Sequence, residues 1–532
     1  MTGKYTRSTA IPGRIRPVII MRNVLEYLEY SATRVPDRIF AEDEYGSCSF
    51  SEMLRNCRRT GSGLIAAKAN GQEGRCMGVG VYMDKGIAAL TAFWGITCAG
   101  GFYVPLNPEL PDERLCRTQD VLQADCVITD QEHLERAVKL FPDTKVLLIT
   151  NLMTAALNEE ALAAVRRRMI DTDPLYAIFT SGSTGIPKGV LISHRSVIDF
   201  IDVFTDLFDI SEDDVIGNQA PFDFDVSTKD LYSALKTGAK LSIIPRKLFS
   251  APTGLLDWIC DRQISVMIWA VSALCLISTF HGLDYRVPQS VRQILFSGEV
   301  MPLKHLKTWR EHLPKARFVN LYGPSEITCN CTFHVLDPER DYSEGIPIGV
   351  PFPNEDVFLL DPDNHLVNAV QTEGEICVRG SALGLGYLRS PAQTASAFTV
   401  NPLNSAWPEV IYRTGDLGKY GADGELYFCG RKDFQIKYMG HRIELEEIEH
   451  ALCRVNGVER CCCIFDEARQ KLYGFYMGSI EKKELHAILR NSLPAFMVPG
   501  SLIRIEEYPL TKNGKVDRRK LMELVPKRHG KA

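Results

Sequence analysis

A short segment between Phe179 and Gly189 concentrates the residue types that hold phosphate groups, with three glycines, four hydroxyl residues and one lysine. Glycines let backbone N–H groups crowd around an anion, hydroxyls add rotatable donors, and lysine adds a positive charge. The segment is not a Walker loop, because Pro187 stands where the Gly-Lys pair of that motif would begin. Such a composition is also typical of linkers, so the segment alone leaves both alternatives open.

The composition sets broad limits on what the protein is. A chain of 532 residues is too long for one hydrophobic core, which predicts two or more domains. The net charge of −5 offers no basic surface for nucleic acid or an anionic membrane, so we expect neither partner. The sixteen cysteines are scattered and no secretory signal precedes them, which predicts reduced thiols and a cytoplasmic protein.

Short apolar strands alternate with helical segments through most of the chain, which predicts an α/β architecture with largely parallel sheets. The predicted strands are Met77–Tyr82, Cys126–Thr129, Lys145–Thr150, Lys240–Ile244, Val266–Trp269, Val291–Phe296 and Arg317–Leu321. After Pro351 the pattern becomes β-rich with glycine turns, which indicates a small barrel-like portion. From Asp433 a compact α+β unit begins, with predicted helices at Glu444–Arg454 and Lys482–Ser492.

Seven short motifs, in this order along the chain, resemble those of the adenylate-forming enzymes. They are Tyr103–Pro108, Phe179–Gly189, Asn320–Glu326, Gly374–Ile376, Tyr412–Asp416, Gly430–Asp433 and Asn513–Lys515. The family includes acyl-CoA synthetases, luciferases and the adenylation domains of nonribosomal peptide synthetases. The resemblance implies a large N-terminal domain, residues 1–432, made of two α/β subdomains and the barrel-like portion. A small mobile α+β domain, residues 433–532, would follow and rotate about the hinge residue Asp433.

The resemblance implies a site for ATP and Mg²⁺ and assigns its phosphate-binding part to the glycine-rich segment. The β and γ phosphates would be held by Thr180, Ser181, Gly182, Ser183, Thr184, Gly185 and Lys188. Glu326, with the Thr184 hydroxyl nearby, would hold Mg²⁺, an ion that takes few protein carboxylates beside phosphate oxygens. The alternative interpretation of Glu326 is a carboxylate at the start of a helix that follows a turn.

The other nucleotide contacts are assigned in the same way. Asp416 resembles the aspartate that accepts the ribose hydroxyls, and Arg431 resembles the arginine on the ribose-phosphate side. Tyr322 would stack on the adenine, with Asn320 and Gly323 beside it. A buried core tyrosine is the alternative for Tyr322, although the glycine-proline pair that follows disfavours it.

Residues near the C-terminus carry the catalytic predictions. Lys515 resembles the lysine that bridges the attacking carboxylate and the α-phosphate, although a solvated tail lysine is the alternative. Lys437 and Gly440 lie in a strand and turn that a second conformation of the small domain would bring to the site. His194 resembles the histidine that follows the phosphate loop in many relatives, and a structural role at the start of a helix is the alternative.

The substrate prediction depends mainly on Asp225, which resembles the aspartate that pairs with an amino acid's α-ammonium group. Asp223 competes for this role, but the register of the segment favours Asp225. The same comparison lines the side-chain pocket with Val226, Lys229, Ile268, Leu295, Ser297, Leu321, Cys329 and Asn330. These residues predict a small or polar amino acid. Lys229 would pair either with an acidic substrate side chain or with an internal acid such as Asp230.

The predicted activity is ATP-dependent formation of an aminoacyl adenylate with release of pyrophosphate, followed by thioester transfer to a carrier protein. No condensation motif or Gly-Gly-x-Ser site is present, so the phosphopantetheine arm is expected on a separate carrier. The first alternative is an acyl- or aryl-CoA ligase of the same fold. The second, of another class, is a catalytically decayed homologue with a binding or regulatory role.

Overall fold

The structure of this chain is a computed structural model that describes residues 21–67, 77–182, 185–467, 469–509 and 516–525. The strands before residue 352 are β1 (Ile39–Glu42), β2 (Ser47–Ser49), β3 (Gly78–Tyr82), β4 (Phe102–Leu106), β5 (Cys126–Thr129), β6 (Val146–Leu148), β7 (Pro174–Thr180), β8 (Lys188–Ser193), β9 (Val215–Asn218), β10 (Lys240–Ile243), β11 (Val266–Ala270), β12 (Gln293–Ser297), β13 (Arg317–Tyr322), β14 (Thr332–Val335) and β15 (Val350–Pro351).

The helices of the same region alternate with these strands, as the α/β pattern predicts. They are α1 (Leu25–Arg34), α2 (Phe50–Ala67), α3 (Ile87–Cys98), α4 (Asp112–Leu122), α5 (Leu134–Leu140), α6 (Ile149–Met153), α7 (Glu159–Arg166), α8 (His194–Leu207), α9 (Val226–Thr237), α10 (Pro252–Asp261), α11 (Val271–Thr279), α12 (Gly282–Tyr285) and α13 (Leu303–His312). Short 3₁₀ turns lie at Arg246–Ser250 and Ser325–Ile327.

The middle of the chain forms a separate antiparallel sheet, which corresponds to the predicted barrel-like portion. The elements of this region are β16 (Glu355–Leu360), β17 (Glu373–Gly380), β18 (Gly386–Tyr387), α14 (Pro391–Ala397), β19 (Phe398–Val400), β20 (Val410–Tyr420) and β21 (Leu426–Arg431). Strand β18 pairs with β8 of another sheet, and the other strands form the antiparallel sheet. The spatial order is β16-β17-β20-β19, with β21 also paired to β20. Alternating burial along β20 places one face of this sheet on the core.

Two larger sheets carry the body of the protein. One has the order β15-β14-β13-β12-β11-β9-β10-β1-β2, and the other has the order β18-β8-β7-β4-β3-β5-β6. The central pairs of both sheets are parallel, which explains continuous apolar strands such as Val266–Ala270, buried along its whole length. Phenylalanines at helical spacing form one apolar face of α8 and of the residue that follows it. The centroid of the Phe204 ring lies 5.4 Å from that of Phe200 and 4.9 Å from that of Phe208.

The described residues from Asp433 onward form a small unit with its own apolar cores. Its elements are β22 (Gln435–Tyr438), β23 (His441–Glu444), α15 (Leu445–Cys453), β24 (Val458–Asp466), β25 (Lys471–Gly478), α16 (Lys482–Ser492), β26 (Ser501–Arg504) and α17 (Arg518–Glu523). Ile448 and Leu452 of α15 pack with Leu485 and Leu489 of α16 over the three-stranded sheet. No helix in the described segments is long and apolar enough to cross a bilayer.

Most predicted elements are confirmed within one or two residues, and two differ for identifiable reasons. The predicted strand Lys145–Thr150 contributes only Val146–Leu148, because this edge strand pairs only with β5 and the chain then turns into α6. The predicted strand Val291–Phe296 begins at Gln293, because Val291 closes a turn with the Pro288 carbonyl.

Candidate active site

Asp225 lies at the start of α9, at the end of a turn that begins at Pro221. Its side chain is buried, and the Ser325 hydroxyl donates a hydrogen bond of 2.5 Å to its Oδ2. Burial raises the pKa of this carboxyl, although the hydrogen bond and the Lys229 charge oppose the shift. Asp223 is bonded instead to the Asn107 amide, at 3.2 Å. Asp225 is therefore a buried carboxylate suited to a cationic partner.

Lys229 follows one helical turn after Asp225 and is fully buried. Its Nζ donates hydrogen bonds of 2.6 Å to Asn330 Oδ1 and 3.4 Å to Ser297 Oγ. Within the described ranges no carboxylate lies within 4.0 Å of this ammonium group, so the alternative of an ion pair with Asp230 is wrong for this arrangement. Asp230 accepts from the Asn218 amide at 2.7 Å, and burial raises its pKa to about 7.

Strand register places the predicted apolar lining in rows beneath this lysine. Ile268 pairs with Leu295, and Ser297 pairs with Leu321 one row closer to the carboxyl ends of the strands. Both rows belong to one buried face, so Ile268 and Leu295 form a closed apolar floor, while the Ser297 hydroxyl reaches Lys229. Val226 and Cys329 complete a small apolar wall together with Ala220.

The predicted phosphate loop connects Thr180, at the end of β7, to Lys188, at the start of β8, and these two residues are paired across the strands. A Cβ on Gly182 would lie 2.0 Å from the Ile186 carbonyl oxygen, so the turn requires glycine. The Gly185 amide closes this turn on the Gly182 carbonyl at 2.8 Å. The predicted phosphate ligands Ser183 and Thr184 lie outside the described residues.

The predicted ribose site is a buried cluster around Asp416. The Tyr322 hydroxyl donates to its Oδ2 at 2.6 Å, and the Arg431 guanidinium forms an ion pair with its other oxygen. Tyr322 is therefore both a buried tyrosine at a strand end and a neighbour of the predicted ribose acceptor, and its stacking on adenine stays a prediction. Asn320 donates to the Pro347 carbonyl, and a Cβ on Gly323 would meet the Asn330 backbone at 2.4 Å.

Glu326 is buried in the 3₁₀ turn that follows β13. Its carboxylate accepts hydrogen bonds from the Tyr387 hydroxyl at 2.7 Å and from Arg442 Nη1 at 2.8 and 3.0 Å. Burial raises the pKa of this carboxyl, but the Arg442 charge and the Tyr387 bond outweigh it, so the pKa lies below its usual value. A buried carboxylate that needs a cation fits the single protein ligand that Mg²⁺ takes beside phosphate oxygens.

Three further predicted residues, His194, Lys515 and Asp433, lie in different surroundings or outside the described residues. His194 is fully buried at the start of α8, where its Nδ1 accepts from the Val24 amide at 3.4 Å. Burial lowers the pKa of the His194 imidazole to about 3. Of the two alternatives for His194, a structural role at the start of a helix therefore fits its surroundings. Lys515, the predicted catalytic lysine, lies outside the described residues. Asp433, the predicted hinge residue, forms an ion pair with Arg431. Burial raises the pKa of its carboxyl, but this pair outweighs burial, so the pKa lies below its usual value.

The small unit brings further residues to the site. Lys437 Nζ lies 5.6 Å from the centroid of the Tyr322 ring, and the Gly440 amide donates to Glu299 Oε1 at 2.9 Å. Arg442 reaches Glu326, as described above. Lys437 and Gly440 therefore lie near the site in this structure, and their arrival there by a second conformation stays a prediction. Partners so distant in sequence leave no local signal, so Arg442 and Glu299 could not be found from spacing.

Comparisons with known proteins agree with this geometry. A family model described as AMP-binding enzyme matches residues 28–388, and one described as AMP-binding enzyme C-terminal domain matches residues 447–515. Zwittermicin A synthase ZmaJ of Bacillus cereus is 31% identical over 521 residues, covering 94% of each chain. Tyrocidine synthase 2 of Brevibacillus parabrevis is 34% identical over 85% of this chain, which spans only 12% of that relative.

A solved structure shows the same fold over nearly the full length. The Vibrio cholerae adenylation domain AlmE, in complex with glycyl-adenosine-5'-phosphate, superposes with a TM-score of 0.82 at 22% identity. The match covers 96% of this chain and 99% of that one. Because the family model covers more than half of the chain, the chain belongs to the AMP-binding enzyme family and is an AMP-forming ligase.

Proposed function

We propose that this protein joins an amino acid to ATP as an aminoacyl adenylate and then passes the aminoacyl group to the phosphopantetheine thiol of a carrier protein. The observation that carries the proposal is the buried Asp225 carboxylate, whose hydrogen-bond donor in the described part of the chain is neutral Ser325. An α-ammonium group would supply a directly bonded cation, which neither Lys229 nor Lys437 supplies although their charges act on this carboxylate. Fatty and aryl acids supply none, which disfavours an acyl- or aryl-CoA ligase.

The position of Lys229 narrows the substrate to amino acids with a short acidic side chain. Asp225 and Lys229 are four residues apart on α9, which separates them by about 6 Å along the helix axis. This spacing suits an α-ammonium group at one end and a side-chain carboxylate at the other. Asn330 and Ser297 orient the lysine, and the apolar floor of Ile268 and Leu295 limits the length of the side chain.

In the first half-reaction a substrate carboxylate oxygen attacks the α-phosphorus of ATP, and the bond to the bridging oxygen breaks to release pyrophosphate. Asp225 fixes the amino group, while the loop amides and Lys188 would hold the leaving phosphates. Glu326 and Thr184 would hold Mg²⁺, which neutralises phosphate charge when bound. Lys515 would bridge the two reacting groups. In the second half-reaction a thiolate attacks the adenylate carbonyl carbon, and AMP leaves.

Pyrophosphate exchange tests this proposal directly. The purified chain with Mg²⁺-ATP is incubated with labelled pyrophosphate and each of the twenty amino acids, their D-isomers, and a panel of fatty and aryl acids. We expect exchange with acidic amino acids well above that with the others. Exchange that depends only on fatty or aryl acids would contradict the role of Asp225, and none with any acid would favour a decayed homologue.

A variant pair tests the role of Lys229 in the same assay. Lys229→Leu is expected to lower kcat/KM for the acidic substrate by about 100-fold and to favour apolar amino acids, because the loss of a buried charge partner is costly. Lys236→Leu, on the same helix but paired with Asp202, is the matched control and should keep the wild-type preference. An unchanged substrate profile for Lys229→Leu would place its charge outside substrate recognition.

A further inference from the structure

Lys85 and Asp230 carry charges that the proposed mechanism does not use, and the side chain of Asn218 joins them. Lys85 lies in the loop between β3 and α3, and its Nζ donates to Asn218 Oδ1 at 3.2 Å. Asn218 Nδ2 donates in turn to Asp230 Oδ2, on α9, at 2.7 Å. Because Asn218 ends β9, a lysine from a loop after one large sheet reaches a carboxylate through a strand of the other.

The hydrogen bonds of Lys85 indicate its charge and the orientation of the Asn218 amide. Lys85 Nζ also donates to the main-chain carbonyls of Asn218 at 3.3 Å and of Gln219 at 2.9 Å. Three acceptors use all three N–H groups of an ammonium, whereas a neutral amine has only two. A flipped amide would set its oxygen against the Asp230 carboxylate and its NH₂ group against Lys85. An ammonium and a carboxylate are therefore paired through one amide.

Burial acts against both of these charges, so each depends on the other. Asn218 and Asp230 are fully buried, and Lys85 is partly buried. Burial lowers the pKa of Lys85 to about 7, and the Asp230 charge opposes this shift. Burial raises the pKa of Asp230, against the Asn218 hydrogen bond and the charges of Lys229 and Lys85. Asp230 Oδ1 is buried and has no hydrogen-bond partner among the described residues, so this carboxylate needs nearby cations.

Lys229 is one of the two cations that act on Asp230, and it is also the cation that the proposed substrate needs. Its ammonium group donates to Asn330 and Ser297, as described above. A substrate carboxylate on Lys229 would lie close to the Asp230 carboxylate, and like charges in a buried site disfavour each other. Lys85, through Asn218, supplies a cation that Asp230 keeps when Lys229 binds the substrate.

We propose that Lys85 is a positioning residue for substrate recognition, which holds the charge of Asp230 through Asn218 and so leaves the Lys229 ammonium free for an acidic side chain. The inference rests on the proposed function, which assigns Lys229 to the substrate. It extends the determinants of specificity from the pocket lining to a loop that follows the other large sheet. Without the Lys85 charge, Lys229 is the cation left to Asp230 and turns towards it.

Pyrophosphate exchange with aspartate, glutamate and alanine tests this role in a set of variants. Lys85→Gln keeps two N–H donors but removes the charge, and should lower kcat/KM for the acidic amino acids about ten-fold. The values for alanine and ATP should change less than three-fold. Adding Asp230→Asn to Lys85→Gln should restore most of the loss, because the carboxylate that competes for Lys229 is then neutral. A loss that Asp230→Asn does not restore would indicate a merely structural lysine and overturn the proposal.

Asp230→Asn in the wild-type background keeps the test decisive even if Lys85→Gln does not fold. It removes the negative charge beside Lys229, so kcat/KM for the acidic amino acids should stay unchanged or rise. A loss of more than ten-fold would contradict the proposal. Lys236→Gln is the matched control for Lys85→Gln, because this ammonium group also takes a side-chain oxygen and a carboxylate, those of Thr205 and Asp202. Its substrate preference should equal that of wild type.

A crystal structure of Lys85→Gln without substrate separates this inference from the proposed function. We expect Lys229 Nζ within about 4 Å of an Asp230 oxygen, instead of on Asn330 and Ser297. An acidic preference in the wild-type enzyme, with Lys229 unmoved in Lys85→Gln, would leave the function standing and refute the role of Lys85. A Lys229 side chain that turns to Asp230, in a protein without acidic preference, would support the role of Lys85 and refute the proposed substrate.

Discussion

The predicted amino-acid pocket and the contact between Arg442 and Glu326 both contain buried charges, but different parts of the chain hold them. In the pocket, Asp225 and Lys229 lie at the start of one helix, and their partners Ser325 and Asn330 come from the loop after β13. Arg442 instead contacts Glu326 across 116 residues of sequence and across the boundary between the body and the small unit. The first set lies within the body, whereas the second is shared by two units.

This difference separates the effects that we expect from substitutions in the two regions. The hydrogen bonds of Asp225 and Lys229 come from the body, although the Lys437 charge of the small unit also acts on Asp225. Arg442 of the small unit instead contacts Glu326, the predicted Mg²⁺ ligand. Substitutions in the pocket should therefore affect the choice and binding of the amino acid, and substitutions of Arg442 should affect how the small unit docks on the body.

The largest effect is expected for Asp225→Asn, because it removes the buried partner of the α-ammonium group. Loss of one member of a buried ion pair costs about 3–5 kcal/mol, which corresponds to roughly 10²–10³ or more in kcat/KM for the amino acid. The KM for ATP should change only a few-fold. Steady-state pyrophosphate exchange measures both, with Asp223→Asn as the control, and equal effects on amino acid and ATP would contradict the amine-pairing role.

Lys515→Ala should reduce adenylate formation by roughly 10²–10³-fold, because it removes a charge that stabilises the transition state at the α-phosphate. ATP binding should stay within a few-fold of wild type, and this is measured by calorimetry with a non-hydrolysable ATP analogue. Thioester formation from chemically prepared adenylate should persist. Loss of ATP binding instead would mean that the lysine is structural.

Arg442→Met should lower the rate of thioester formation by about 10–50-fold, since it leaves Glu326 buried without a cation in the docked arrangement. Pyrophosphate exchange should be affected less than three-fold, because Glu326 then faces the nucleotide site. Single-turnover assays of the two half-reactions make this comparison. A larger loss in exchange than in thioester formation would place Arg442 in the first half-reaction.

The smallest effect concerns His194, a buried titratable group of the rigid body. Its folded pKa is about 3, below its ordinary value of 6.5, so its neutral form favours folding above pH 6.5. This stability is lost as the pH falls from 6.5 towards 3, by on the order of 2 kcal/mol at pH 5. Thermal melting of His194→Asn should therefore show a weaker pH dependence between pH 7.5 and 5 than wild type, and parallel curves would contradict the buried neutral histidine.

Sequence patterns were sufficient where structure is local. Strand Cys126–Thr129 and helix Lys482–Ser492 are predicted to the residue, because a short buried strand and Leu485 and Leu489 at helical spacing are visible in the chain itself. Motif order also predicted roles for Asp416 and Glu326, which are buried in ion pairs with Arg431 and Arg442; their contacts to ribose and Mg²⁺ stay predictions. Contacts that depend on tertiary packing could not be predicted.

Lys229 and the contact between Arg114 and Glu447 show this limit most clearly. The sequence left open whether Lys229 pairs with Asp230, and only packing shows its ammonium on Asn330 and Ser297. Likewise, no spacing rule connects Arg114 with Glu447, which are 333 residues apart. Contacts between residues so distant in sequence leave no periodic signal in either segment.

The most direct measurement is a crystal structure of the protein with a non-hydrolysable analogue of the acidic aminoacyl adenylate. The account predicts the ligand's α-nitrogen at about 2.8 Å from an Asp225 carboxylate oxygen, with its side-chain carboxylate on Lys229 Nζ. An Asp225 side chain that still faces only Ser325, with the ligand's nitrogen more than about 4 Å away, would contradict it.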